Sequence, residues 1–159
     1  MPTKLTEARW THIALPSCDL DAAIEFYTTM TPLVVVATHA DDAGRNAWLS
    51  NDKQVDSPFV LVIAQFSEEQ GKRFNYVPGE PIPTLAPFAH IGIEMPHKED
   101  VDRAAELGAK MGRLRQGPQQ RDAHVGYICS LFDPDGNVIE FSWDQKVYTN
   151  VRALWGDKA

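Results

Sequence analysis

The sequence has too few cysteines to be held together by them. Cys18 and Cys129 are the only two in 159 residues, which excludes a disulfide-stapled scaffold and suits a reducing compartment. Long apolar runs are also missing. No stretch approaches the length needed to cross a bilayer, and Met1 to Arg9 lacks the apolar centre of a secretion signal. With no address visible, the cytoplasm is the expected location. Basic residues are in deficit: Lys and Arg number 15 against 22 Asp and Glu, a net charge of −7. They are also scattered, which argues against a nucleic acid or an anionic membrane surface as main partner. What remains is ordinary globular composition, 43% hydrophobic and 23% charged, long enough for one domain with a real core.

The chain centres on Gly126 to Trp143. Asp133-Pro134-Asp135-Gly136-Asn137 is turn chemistry: Pro presets φ, Gly accepts positive φ, and Asx side chains bond nearby backbone. Strands are expected on both sides. In the second, Ile139, Phe141 and Trp143 share one face and Val138, Glu140 and Ser142 the other. A carboxylate in mid-strand among apolar neighbours is costly unless paired or metal-bound. Two short strands carry a histidine in the same grammar. His12 and Ala14 alternate with Ile13 and Leu15, and His90 and Gly92 alternate with Ile91 and Ile93. Two such histidines plus Glu140 make a 2-His-1-carboxylate set.

The rest of the chain repeats one unit. Ser17 or Asp19 caps a helix whose stripe is Ala22, Ala23, Phe26, Tyr27 and Met30, with Pro32 stopping it. Strands are expected over Leu33 to Thr38, Arg45 to Ser50 and Phe59 to Gln65. Ser67 to Pro87 interrupts the rhythm, charged first and proline-rich later, as a linker or as a lid carrying Phe74 and Tyr76. The second unit has a helix over Glu99 to Met111 closed by Gly112, a break at Gly117-Pro118, a polar loop to His124, and the terminal hairpin. Val147, Tyr148, Val151, Leu154 and Trp155 fit one side of a tail helix, expected to pack on the body or on a second subunit.

The pattern His12-Ile-Ala-Leu…Asp19-Leu…Phe26-Tyr27, His90-Ile-Gly-Ile and Asp133-Pro-Asp-Gly-Asn-Val-Ile-Glu140 resembles the vicinal oxygen chelate superfamily. That group includes glyoxalase I, bleomycin-binding proteins, fosfomycin-resistance proteins, methylmalonyl-CoA epimerase and extradiol dioxygenases. The resemblance covers about residues 8 to 145. It implies an α+β fold with two βαβββ modules, residues 8–66 and 88–145, forming a cupped, incomplete mixed barrel around a metal site. Residues 67–87 would connect the modules, and 146–159 form a helical tail. It places the metal on His12, His90 and Glu140. A fourth ligand found in several relatives would fall at Leu61, which cannot ligate, with Gln65 a weaker candidate. Three protein ligands leave octahedral positions open and favour Fe(II) or Mn(II), with Ni, Co or Zn as alternatives.

The reading favoured on this resemblance is an extradiol-type ring-cleaving dioxygenase acting on a small substrate held through two oxygens. Its acid–base candidates are His124 and Tyr127, Ser130 standing where that family has its tyrosine. Glu94, on the face of His90, is expected at the rim, or else beside the ligands. The alternatives are a glyoxalase-like lyase or isomerase, and a metal-free binding protein of the bleomycin-sequestering kind. Unpaired sheet edges and the apolar tail, with the habit of relatives, point to a homodimer; the sites lie either within one chain or between chains, and if shared, His12 would come from one chain and His90 with Glu140 from the other.

Overall fold

A computed structural model describes residues 10–51, 59–122 and 124–156; the amino-terminal segment considered above lies outside these residues. The elements run β1 (His12–Pro16), α1 (Leu20–Met30), β2 (Val34–Asp41), β3 (Gly44–Ser50), β4 (Val60–Phe66), α2 (Glu68–Arg73), β5 (His90–Glu94), α3 (Lys98–Lys110), β6 (Leu114–Gln120), β7 (Tyr127–Phe132), β8 (Val138–Trp143) and α4 (Val147–Trp155). Two four-stranded mixed sheets result, ordered β1-β4-β3-β2 and β5-β8-β7-β6. The chain is therefore α+β, built from two βαβββ units that do not close into a barrel.

Each unit buries one sheet face under its own helix. Asp19 caps α1, its carboxylate accepting from the Ala22 N–H at 3.1 Å. Leu20, Ala23, Phe26, Tyr27 and Met30 then face inward and share a core with Ala47, Leu49, Leu61 and Ile63. Burying a large apolar side chain contributes about 1.5–3 kcal/mol. In α3, Asp100 reaches back to the His97 N–H at 3.2 Å, satisfying a free helix-end donor. Val101, Ala104 and Ala105 pack with Cys129, Leu131, Ile139 and Phe141. Gly108 lets α3 approach β7 closely, since a Cβ there would sit 2.0 Å from Leu131 Cδ2.

Two elements differ from the sequence-based expectations. The charged segment after Ser67 is a short helix, α2, with Lys72–Glu68 and Arg73–Glu69 pairs one turn apart. Gly117-Pro118, read as a break, and Gln119-Gln120, read as loop, fall inside an edge strand, Leu114–Gln120. Its register with β7 shifts between Leu114 and Gln116 and again between Gln116 and Gln119, which is how Pro118 is accommodated at a sheet edge.

The Asp133–Asn137 turn joins the two units. Asp133 Oδ2 accepts from the Tyr27 hydroxyl at 2.8 Å. Asp135 Oδ1 accepts from the N–H groups of Cys18 at 2.9 Å and Ile82 at 3.1 Å. Asn137 Oδ1 takes the N–H groups of Thr84 and Leu85, both at 2.8 Å. The turn thus holds the first unit and the connecting segment by side-chain oxygens buried inside the protein. That segment is consequently tethered at 82–85, while Phe74 and Tyr76 pack on Phe66 at the end of β4.

Candidate metal centre

The face of each sheet away from its helix carries the residues of interest. In the second sheet, β5 and β8 run parallel, with Gly92 opposite Glu140 and His90 opposite Val138. His90 and Glu140 therefore project from the same open face. His90 Nε2 lies 3.9 Å from Glu140 Oε2, beyond hydrogen-bond range. Two donors bound to one ion at roughly 2.0–2.2 Å each stand about 3–3.5 Å apart, so a small side-chain rotation brings the pair to that spacing. His90 Nδ1 is 2.6 Å from the Phe88 carbonyl. A carbonyl only accepts, so Nδ1 donates to it, and Nε2 is the ring nitrogen left to face Glu140. A Cβ on Gly92 would meet nothing within 4 Å, leaving open space beside both side chains.

The first sheet has the same plan with a different outcome. Here β1 and β4 run parallel, with His12 opposite Val60 and Ala14 opposite Val62. His12 is exposed on the open face, its Nδ1 engaged by Thr11 Oγ1 at 2.8 Å. The position matching Glu140 is Val62. The slot assigned to Leu61 is thus one residue off: Leu61 points into the core under α1. Valine, like leucine, has no side-chain atom that could ligate. Gln65 is committed elsewhere, accepting from the Leu20 N–H at 3.2 Å and Arg45 Nε at 3.1 Å and donating to the Cys18 carbonyl at 3.0 Å.

Among the described residues, no three His, Cys, Asp or Glu side chains come together as a metal-holding group. The structure brings His90 and Glu140 together, and His12 joins no metal-holding group with them. Tyr127 lies on the helix side of β7. Its hydroxyl donates to Asp102 at 2.6 Å, a bond that, with burial, raises the phenol's pKa, and Lys98 Nζ sits 4.0 Å over its ring. The opposite face of β7 carries Ser130, registered with Glu140. His124 is exposed in the turn before β7, beyond the end of the ladder that pairs Tyr127 with Trp143. Neither acid–base candidate reaches the open face at Glu140.

Glu94 is partly buried on the open face of β5 and accepts the Lys146 N–H at 3.2 Å. Gln145, which the sequence reading passed over, donates from Nε2 to Glu140 Oε1 at 3.2 Å. Its only sequence signal is that it stands two residues beyond the strand that carries Glu140.

A cavity of about 160 Å³ sits elsewhere, between Cys18, Gln65, Phe66, Tyr76 and Ile82, at the end of β4 remote from the His12 register. Burial, then the negative charge of Asp135, pushes the Cys18 thiol up to about 11. Burial raises Cys129 to about 12. A raised thiol pKa keeps the unreactive neutral form dominant at neutral pH. Iodoacetamide is expected to modify native Cys18 at pH 8 far more slowly than a free thiol, with the rate climbing towards pH 11. Rapid labelling at pH 7 would contradict this.

The sequence matches the profile of the Glyoxalase/Bleomycin resistance protein/Dioxygenase superfamily over residues 9–141. The chain belongs to that superfamily. An uncharacterized protein of Pseudomonas aeruginosa is 31% identical over 146 residues, covering 91% of this chain and 94% of its own. The fold resembles a glyoxylase/bleomycin resistance protein/dioxygenase domain from Frankia (TM-score 0.65, 18% identity, 86% of this chain and 97% of that one). It also resembles the glyoxalase I of Leishmania major, described as trypanothione-dependent (TM-score 0.62, 17% identity, 96% and 98%). A third likeness is glyoxalase I of Zea mays (TM-score 0.63, 22% identity), of which the chain spans 43%. At these identities the structural likenesses carry the superfamily fold and no reaction. No helix of the described residues is long and apolar enough to cross a membrane.

Proposed function

We propose that this superfamily member is a divalent-metal enzyme whose site is completed by a second copy of the chain. His12 would come from one subunit and His90 with Glu140 from the other. The observation that carries the reading is the split donor set: a His–carboxylate pair on one open face and a lone His at the matching position of the other. The ligand chemistry fits an ion, since the Phe88 carbonyl occupies His90 Nδ1 and leaves Nε2, the nitrogen on the carboxylate side, as the one available to ligate. A bound divalent ion would act as a Lewis acid on two oxygens of a small substrate, stabilising the negative charge that develops there.

The protein's own groups have separate tasks. His90 and Glu140 hold one side of the centre. The exposed ring of Phe88 meets the His90 ring edge-on, with centroids 5.8 Å apart, and offers an apolar wall against water. Glu94 is the carboxylate left on this face to take a proton from the substrate. These parts suit a glyoxalase-like lyase or isomerase best, because that chemistry needs a polarised carbonyl and a base. Extradiol-type ring cleavage on Fe(II) or Mn(II) is the second reading. The three-ligand set favours it by leaving room for O2, but it lacks the acid–base pair sought in His124 and Tyr127. Ni, Co or Zn fit the first reading equally.

The test is to load metal-free protein with each ion, Fe(II) anaerobically, and incubate it in D2O with small 2-oxo and 2-hydroxycarbonyl compounds. Metal-dependent deuterium incorporation next to the carbonyl, lost in His90→Ala, is the expected result. Oxygen uptake with catechols and no exchange would establish the second reading instead. A protein that binds no metal and still binds small molecules would be a sequestering protein.

A further inference from the structure

We propose that Gln145 is a positioning residue for Glu140, an inference that rests on the metal reading above. The two oxygens of Glu140 have different surroundings. Oε1 accepts from Gln145 Nε2 at 3.2 Å, and Oε2 faces His90 Nε2 at 3.9 Å. Gln145 Oε1 lies 3.4 Å from the hydroxyl of fully buried Ser142, whose one proton it shares with the Ile93 carbonyl, also at 3.4 Å. A residue just beyond β8 reaches back to mid-strand only if the chain reverses. The reversal is built from two non-glycine residues in the left-handed region, Asp144 at φ 60° and Lys146 at φ 62°. Such residues are uncommon and cost free energy, so the surrounding contacts must impose them. The next N–H, that of Lys146, bonds Glu94 Oε1 at 3.2 Å. Consecutive residues thus hold both acidic side chains of this open face.

The amide is chemically suited to the task. It fixes one carboxylate oxygen by a neutral hydrogen bond and leaves the negative charge available to a cation. A Lys or Arg in its place would compete with the ion for that charge. A carboxylate with one oxygen already held loses less rotational freedom when the other binds, which raises affinity without adding a ligand.

The test titrates metal-free protein with Co(II), with Zn(II) in competition, and records the visible Co(II) spectrum and the urea midpoint of the metal-free form. Gln145→Leu is expected to weaken binding roughly 10- to 100-fold and change the Co(II) spectrum, with the urea midpoint unmoved. A purely structural role would do the reverse. Ser142→Ala, which frees the Gln145 amide, is expected to give a smaller loss in the same direction and decides the matter if the Leu variant does not fold. His90→Ala separates the two claims. If it lowers affinity while Gln145→Leu or, failing that, Ser142→Ala leaves affinity unchanged, positioning is overturned and the metal reading stands. If His90→Ala also changes nothing, both fall.

Discussion

Mixing His12→Ala chains with Glu140→Ala chains is expected to restore metal binding that neither variant shows alone. Within one chain, His90 and Glu140 face each other, while His12 joins no metal-holding group with them. If the donors combine across two copies, a heterodimer has one site carrying both lesions and one carrying none. Random pairing after co-refolding makes about half the dimers mixed, so metal content should reach about a quarter of wild type. If each site lay within one chain, every site in the mixture would carry one lesion and the content would stay at background. Light scattering comes first, because a monomer at micromolar concentration would contradict the arrangement outright. Exposed apolar surface is available for such pairing. Val34, Val35 and Val36 on edge strand β2 are exposed, as are Val151, Leu154 and Trp155 on α4, and α4 buries none of its residues on the body of its own chain. Exposed strand edges and apolar helix faces of this kind are normally covered.

Asp133→Ala is expected to lower unfolding stability by about 3–5 kcal/mol, a large share of what a domain this size has. Asp133 is buried and its two oxygens serve four donors. Oδ1 takes the N–H groups of Asp135 at 2.9 Å and Asn137 at 2.8 Å. Oδ2 takes the Tyr27 hydroxyl at 2.8 Å and Asn137 Nδ2 at 2.9 Å. Alanine strands all four away from water. Burial and the charge of Asp133 push the Tyr27 phenol well above its usual range, so it stays a proton donor throughout the working pH range. Tyr27→Phe removes one of the four bonds and should cost less, about 1.5–3 kcal/mol for a bond to a charged group. Urea unfolding followed by circular dichroism measures both. A loss below about 1 kcal/mol for Asp133→Ala would mean that the turn is not the joint between the two units.

The two-unit plan was legible because both units repeat one order of strand, capped helix and hairpin, with Asp19 capping α1 as expected. The shared face of His90 and Glu140 was legible because β5 and β8 alternate cleanly. Strand phase failed where both faces are apolar. Val60 to Ala64 gives no hint that Leu61 and Ile63, rather than Val60 and Val62, lie under α1, so the slot matching Glu140 was misplaced by one. The same ambiguity in Tyr-Ile-Cys-Ser-Leu concealed that Cys129 and Leu131 pack on α3, which carries Tyr127 to the helix side. The role of Asp133 was hidden for a different reason. The turn chemistry is local, but the Tyr27 hydroxyl it receives is 106 residues away in sequence. Gln145 escaped notice because a reversal through left-handed Asp144 and Lys146 is not encoded by the glycines that usually announce one.

Anomalous diffraction from crystals grown with Co(II) tests the central claim most directly, since it locates the ion and names its ligands in one measurement. The account predicts one ion per chain, bound by His12 of one subunit and by His90 and Glu140 of the other. An ion held by all three residues of a single chain, or no ion at His90 and Glu140, would contradict it.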